Sequence, residues 1–178
     1  MREILFAGFG GQGVLTAGLV TAQVALYNKM KATWMPQYGA AQRGGTSNCT
    51  VKFDPVGVDN PGPEEPDLVM ALNNPSFLKF VSMVKPGGII LVDGDIVTCN
   101  TDVRSDIRVV KIPASKLAAE LNNPKGMNII MLGAMFHLMG DYSKEDAVNG
   151  MNDMFRKKGK AKFEAANVAA FEKGWSAV

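Results

Sequence analysis

A chain of 178 residues, 47% of them hydrophobic and 20% charged, fits one domain and should bury roughly 70% of the surface that its unfolded form exposes. Nineteen Lys and Arg against 17 Asp and Glu leave a formal charge of +2, too small and too scattered for an electrostatic nucleic-acid binder. Cys49 and Cys99 stand far apart, whereas a metal cage or iron–sulfur cluster needs grouped cysteines, so no metal site is expected and the sparse usage suits a reduced compartment.

The chain opens on Arg2-Glu3-Ile4-Leu5-Phe6-Ala7, a short apolar run of the kind found in buried parallel strands. No charged leader precedes it, and the longest apolar stretch, 129–139, is too short to span a bilayer; a soluble, cytoplasmic protein without a membrane partner is the expectation. The strand ends in Gly8-Phe9-Gly10-Gly11-Gln12-Gly13, and 14–30 follows with Leu15, Leu19 and Leu26 near helical spacing. Strand, glycine turn and helix make half of a βαβ unit.

A second strand is predicted over 32–35, stopped by Pro36, because proline interrupts a ladder. The polar loop Gln37-Tyr38-Gly39-Ala40-Ala41-Gln42-Arg43-Gly44-Gly45 comes next. Residues 46–53 then alternate, with Ser47, Cys49, Val51 and Phe53 on one face and Thr46, Asn48, Thr50 and Lys52 on the other, a strand with unlike faces. Four prolines mark 54–66 as a surface loop. Strands are predicted over 67–72, 89–92 and 107–112, with helices over 76–84, 113–121, 127–139, 145–157 and 161–173. Strands and helices alternate, which argues an α/β fold, Rossmann-like, with a largely parallel sheet flanked by helices.

Gly8, Gly10 and Gly13 satisfy G-x-G-x-x-G between a strand and a helix. The first glycine permits the turn, the second lets backbone approach a phosphate, and the third allows close packing; the helix N-terminus then favours the anion. A tight turn without a ligand would also select these glycines. A dinucleotide fold should carry an acid at the end of its second strand. Here that strand ends Thr33-Trp34-Met35-Pro36-Gln37, which counts against a dehydrogenase. Arg43, beside Gly44-Gly45, could clamp a phosphate or carboxylate, or equally pair with a structural carboxylate. Asp93 and Asp95 fit a turn or cap better than a metal. His137, in the most apolar helix, reads as a satisfied core residue rather than a base, so no Ser-His-Asp system can be built. The basic run Arg156-Lys157-Lys158, with Lys160 and Lys162, reads as a solvated face. Trp34, Met35, Phe163, Phe171 and Trp175 are candidates for an apolar contact patch. An anion cradle without a catalytic engine is the inventory.

Gly8-Phe9-Gly10-Gly11-Gln12-Gly13-Val14, followed by Tyr38-Gly39-x-x-x-Arg43-Gly44-Gly45 and Asn48-Cys49, resembles the gamma subunit of 2-oxoacid:ferredoxin oxidoreductases, the pyruvate, ketoisovalerate and 2-oxoglutarate family. The resemblance continues through Asn73-Asn74-Pro75, Gly87-Gly88 to Asp93, and Asn128-x-x-x-Leu132-Gly133-Ala134. It implies one gamma-type domain over 1–178, in a complex that decarboxylates a 2-oxoacid, passes electrons to ferredoxin and releases acyl-coenzyme A. Thiamine diphosphate and iron–sulfur clusters are then expected on partner alpha and beta subunits, with a delta subunit where one exists. Coenzyme A is the candidate ligand of this chain. The carry-over gives Gly8, Gly10, Gly11, Gln12 and Gly13 as a phosphate loop, and Tyr38, Arg43, Gly44 and Gly45 as a second loop facing cofactor or partner, with Asn73 beside them. Family members often have Ser and Glu where this chain has Gln37 and Ala41, which bears on substrate subtype. An indolepyruvate oxidoreductase subunit and a stand-alone Rossmann-type nucleotide-binding module are the alternatives.

Overall fold

The computed structural model describes residues 1–38 and 45–178. Six strands form one sheet, in the order β2-β3-β1-β4-β5-β6. They are β1 (Arg2–Phe9), β2 (Lys31–Tyr38), β3 (Thr46–Asp54), β4 (Leu68–Ala71), β5 (Ile89–Asp93) and β6 (Arg108–Ile112). Pairings β1–β4, β4–β5 and β5–β6 are parallel, whereas β3 runs against both neighbours. Five strands therefore share one sense and β3 alone is reversed. The helices are α1 (Val14–Tyr27), α2 (Asn74–Phe80), α3 (Ala114–Glu120), α4 (Met127–Met139), α5 (Lys144–Lys157) and α6 (Glu164–Trp175), with 3-10 turns at Val81–Met83, Pro124–Gly126 and Ala161–Phe163.

The period-two alternation of the central strands decides the layers. Ile4, Phe6, Leu68, Met70 and Leu91 turn to the face covered by α1, α3, α4, α5 and α6. Leu5, Ala7, Val69, Ala71, Ile90 and Val92 turn to the other face, which α2 covers through Phe77 and Phe80. Helix α4 is buried from Met127 through Phe136, as a helix apolar on every side must be. It meets α6 backbone to backbone: a Cβ on Gly133 would lie 2.0 Å from the Phe171 carbonyl oxygen, and one on Gly174 would lie 1.8 Å from that of Ile130.

Four expectations need correction. Strand β2 runs through Pro36 to Tyr38; it is an edge strand, and only one of its sides must donate to a ladder. Strand β3 is buried on both faces, because Lys52, fully inaccessible, is held on the polar face by Glu3 and Glu64. His137 is exposed rather than core; its Nδ1 lies 2.6 Å from the Trp175 carbonyl oxygen and its ring stacks on Trp175, since the buried run of α4 ends one residue earlier. Phe171 lies in the core and offers nothing to a contact patch. Both cysteines are free; burial pushes the Cys49 thiol up to about 12. No helix among the described residues is long and apolar enough to cross a membrane.

Candidate functional site

The chain leaves β1 through α1 to β2 and β3 on one flank, then returns to β4 on the other. The switch point falls between β1 and β4, the place where open α/β sheets bind ligands beyond the carboxyl ends of their strands. The loop after β1 sits there, and its glycines have separable roles. Gly8 is still in the strand, where a Cβ would lie 2.8 Å from Gln12 Oε1 and from Val14 Cγ2. Gly11 and Gly13 have φ of +97° and +79°, a region that side chains resist. A Cβ on Gly13 would also strike the Asn128 amide of α4, at 2.4 Å.

Gln12 and Asn73 lock this loop in place. Gln12 Oε1 accepts from the Phe9 N–H (2.7 Å) and from Asn73 Nδ2 (2.9 Å), while Gln12 Nε2 donates to the Leu72 carbonyl (2.9 Å). Asn73 Oδ1 in turn accepts the Ser76 N–H and caps α2. The Gly10 N–H donates to the Gly45 carbonyl at 3.0 Å, so the two glycine-bearing loops singled out in the sequence touch. Tyr38 closes β2 opposite Ser47. Arg43 and Gly44 lie outside the described residues.

Beside the glycine loop opens a cavity of about 530 Å³, within the range of small-molecule sites. Gly11, Gln12, Gly13 and Thr16 form one wall, the turn 123–129 a second, and Phe155, Lys160, Phe163, Ala166 and Asn167 a third. Two helices begin on it. The first bond of α1 runs from the Ala17 N–H to the Gly13 carbonyl, leaving the amides of 14–16 without intrahelical partners, and α4 starts at Met127 beyond the Pro124–Gly126 turn. Helix N-termini carry partial positive charge and free N–H donors. Lys125 and Lys160 add whole charges and form no ion pair among the described residues, and no carboxylate lines the cavity. The arrangement suits a phosphorylated ligand.

Some of this escaped the sequence reading. Lys125 and Gly126 precede the apolar helix in a Pro-Lys-Gly turn, a signal that could have been taken up. Lys160 was absorbed into a basic run, and Asn167 carried no local signal. Asp93 and Asp95 cap instead of binding: Asp93 Oδ2 accepts from the Ser115 N–H and hydroxyl, and Asp95 Oδ2 from the Lys116 N–H. The dinucleotide reading also fails on topology, since β3 rather than β2 adjoins β1.

Residues 3–177 match the pyruvate ferredoxin/flavodoxin oxidoreductase family. The chain is 34% identical to 2-oxoglutarate synthase subunit KorC of Methanocaldococcus jannaschii, over 98% of this chain and 92% of that one. It is 36% identical to ketoisovalerate oxidoreductase subunit VorA of Methanothermobacter marburgensis, over 97% of this chain, but spans only 35% of that longer subunit. The crystal structure of the gamma subunit of a keto/oxoacid ferredoxin oxidoreductase from Geobacter sulfurreducens superposes with a TM-score of 0.83 at 29% identity, over 99% of this chain and 97% of that one. A 2-oxoglutarate:ferredoxin oxidoreductase from Magnetococcus marinus, solved with 2-oxoglutarate, coenzyme A and succinyl-CoA, shares the fold over 98% of this chain and 30% of its own (TM-score 0.86, 24% identity). With a family match over residues 3–177 and near full-length similarity to KorC and to a solved gamma subunit, this chain belongs to the pyruvate ferredoxin/flavodoxin oxidoreductase family and is of the gamma-subunit type.

Proposed function

We propose that residues 1–178 act as a single gamma-subunit domain in a complex that converts a 2-oxoacid and coenzyme A to acyl-CoA and carbon dioxide, two electrons passing to ferredoxin. The observation that carries this chain's share of the work is the cavity at the glycine loop: two helix N-termini converge on it with two lysines that form no ion pair among the described residues, and no carboxylate lines it among those residues. Those groups hold and orient the phosphates of coenzyme A, for which oriented N–H donors and fixed charges are the right chemistry. Gly11 and Gly13 shape the contact surface, and Gly8, Gln12 and Asn73 keep it in register with the sheet. Gly10 and Gly45 couple it to the second loop, where Tyr38, Arg43 and Gly44 face the cofactor or the neighbouring subunit. Thiamine diphosphate and iron–sulfur clusters supply decarboxylation and electron transfer from the alpha and beta partners, and this chain works in the cytoplasm with them. The Magnetococcus complex, which carries coenzyme A and succinyl-CoA, supports the choice of ligand.

The test is to produce the chain with the alpha and beta subunits of its own source and assay dye reduction with several 2-oxoacids. Assembly with reduction that requires coenzyme A, lost when this chain is omitted, is the expected result. A chain that stays alone, leaves the partners' activity unchanged and binds free nucleotides would overturn the proposal in favour of a stand-alone module.

A further inference from the structure

The cavity at the glycine loop has two unlike sides. The glycine loop, Lys125 and Lys160 bring donors and charge, whereas Met127, Phe155, Phe163 and Ala166 bring apolar surface. A phosphate by itself uses only the first side. On the second, Phe155 is half-buried and packs against the main core. Phe163 does not: it ends the 3-10 turn that joins α5 to α6, belongs to neither hydrophobic core, and is 45% exposed. Lys162 Nζ lies 5.1 Å from its ring centroid, a cation–π contact that occupies a single face of a ring. An aromatic ring left in water is unfavourable, and on a concave wall it is the kind of surface that a ligand's apolar part covers.

We infer that Phe163 is the platform for the base of a nucleotide: the ligand lies across the cavity with its phosphates toward the glycine loop and its base against Phe163. This rests on the reading that the cavity takes the phosphates of coenzyme A, and it adds the orientation of the ligand and a residue that selects it. Backbone amides at the helix N-termini accept any anion. An aromatic ring adds affinity only for a ligand that carries a flat ring of its own, and stacking tolerates any base. Phe163 therefore separates a nucleotide from a bare phosphorylated chain, without separating adenine from other purines. The role also gives this ring a ligand to cover it in place of the subunit contact for which the sequence made it a candidate.

The experiment uses the assembled complex with three variants: Phe163→Ala, Phe163→Tyr and, as a probe of the cavity itself, Lys125→Glu. KM for coenzyme A is measured for each, with the inhibition constants of two competitors. Adenosine 3′,5′-bisphosphate carries phosphates and a base, whereas 4′-phosphopantetheine carries a phosphate and no base. Phe163→Ala is expected to raise KM and the bisphosphate constant about tenfold, the scale of one lost stacking contact, and to leave the phosphopantetheine constant unchanged. Phe163→Tyr keeps a ring and should keep all three values near wild type, and Lys125→Glu should raise all three. If Lys125→Glu raises KM and Phe163→Ala does not, the cavity reading stands and the platform falls. If neither variant changes KM, the cavity reading falls and takes this inference with it. Equal rises for both competitors in Phe163→Ala would mark a distorted cavity, and failure of that variant to assemble would mark a subunit contact; either result overturns the platform.

Discussion

The two ends of the sheet treat charge in opposite ways. At the amino ends of the strands charges are paired in a network: Asp67 accepts the Glu3 N–H at 2.8 Å and pairs with Lys85, Arg2 Nε donates to Asp141 at 2.8 Å, and Lys52 sits between Glu3 and Glu64. At the carboxyl ends two helices start, and Lys125 and Lys160 form no ion pair among the described residues. Paired charges hold strands and loops in register. Unpaired ones, gathered on a concave surface, have no structural reason to be together and mark where a ligand completes the set.

The contrast can be broken by mutation. The largest effect belongs to Lys52→Met, which leaves the Glu3 carboxylate, 5% exposed, without its cation; a loss of about 3–5 kcal/mol of stability is expected in chemical denaturation, as for other broken buried pairs. In the variant that does assemble, KM for coenzyme A should not move. Asp67→Asn comes second, at about 1.5–3 kcal/mol for hydrogen bonds to a charged group, and it carries a pH signature. Burial of Asp67 works to raise its pKa, but the Lys85 hydrogen bond, the Glu3 N–H and the charges of Lys85 and Arg2 outweigh it, so the net shift is below 3.8. A depressed carboxylate contributes stability that is complete above its ordinary value and is lost as pH falls through the folded-state value. Wild type should therefore lose stability more steeply than Asp67→Asn below pH 3.8, in denaturation curves taken across that range. Lys125→Ala combined with Lys160→Ala should be the mildest for the fold, within about 0.5 kcal/mol as for exposed sites. The same pair should raise KM for coenzyme A about tenfold, or ~1.4 kcal/mol. Equal damage to stability from both ends would erase the distinction.

What the sequence disclosed was whatever is written locally. The loop at Gly8–Gly13 is encoded in adjacent residues, and its flanking strand and helix follow from the apolar run Ile4-Leu5-Phe6-Ala7 and from leucines near helical spacing. Helix α4 was legible because its buried residues form one unbroken stretch. Pro36 misled because tolerance of proline depends on whether another strand lies beyond it, which is a property of sheet order. The fate of Lys52 was hidden for a similar reason: its two carboxylates come from β1 and from the proline-rich loop. The cavity was half legible. Its glycine wall is a motif, but Lys160 and Asn167 meet that wall only because glycines at the α4–α6 crossing let α6 lie directly on α4.

The reversed direction of β3 has a geometric result of its own. Because β3 starts where β2 ends, Tyr38 and Gly45 both lie at the carboxyl end of the sheet, and Gly45 is within one hydrogen bond of the glycine turn. A parallel β3 of the same nine residues would begin at the far end, about 30 Å away at roughly 3.3 Å per residue, and Gly45 would be carried away from the glycine turn. One antiparallel strand thus brings two distant stretches of sequence together, so that Gly10 and Gly45 share a backbone hydrogen bond.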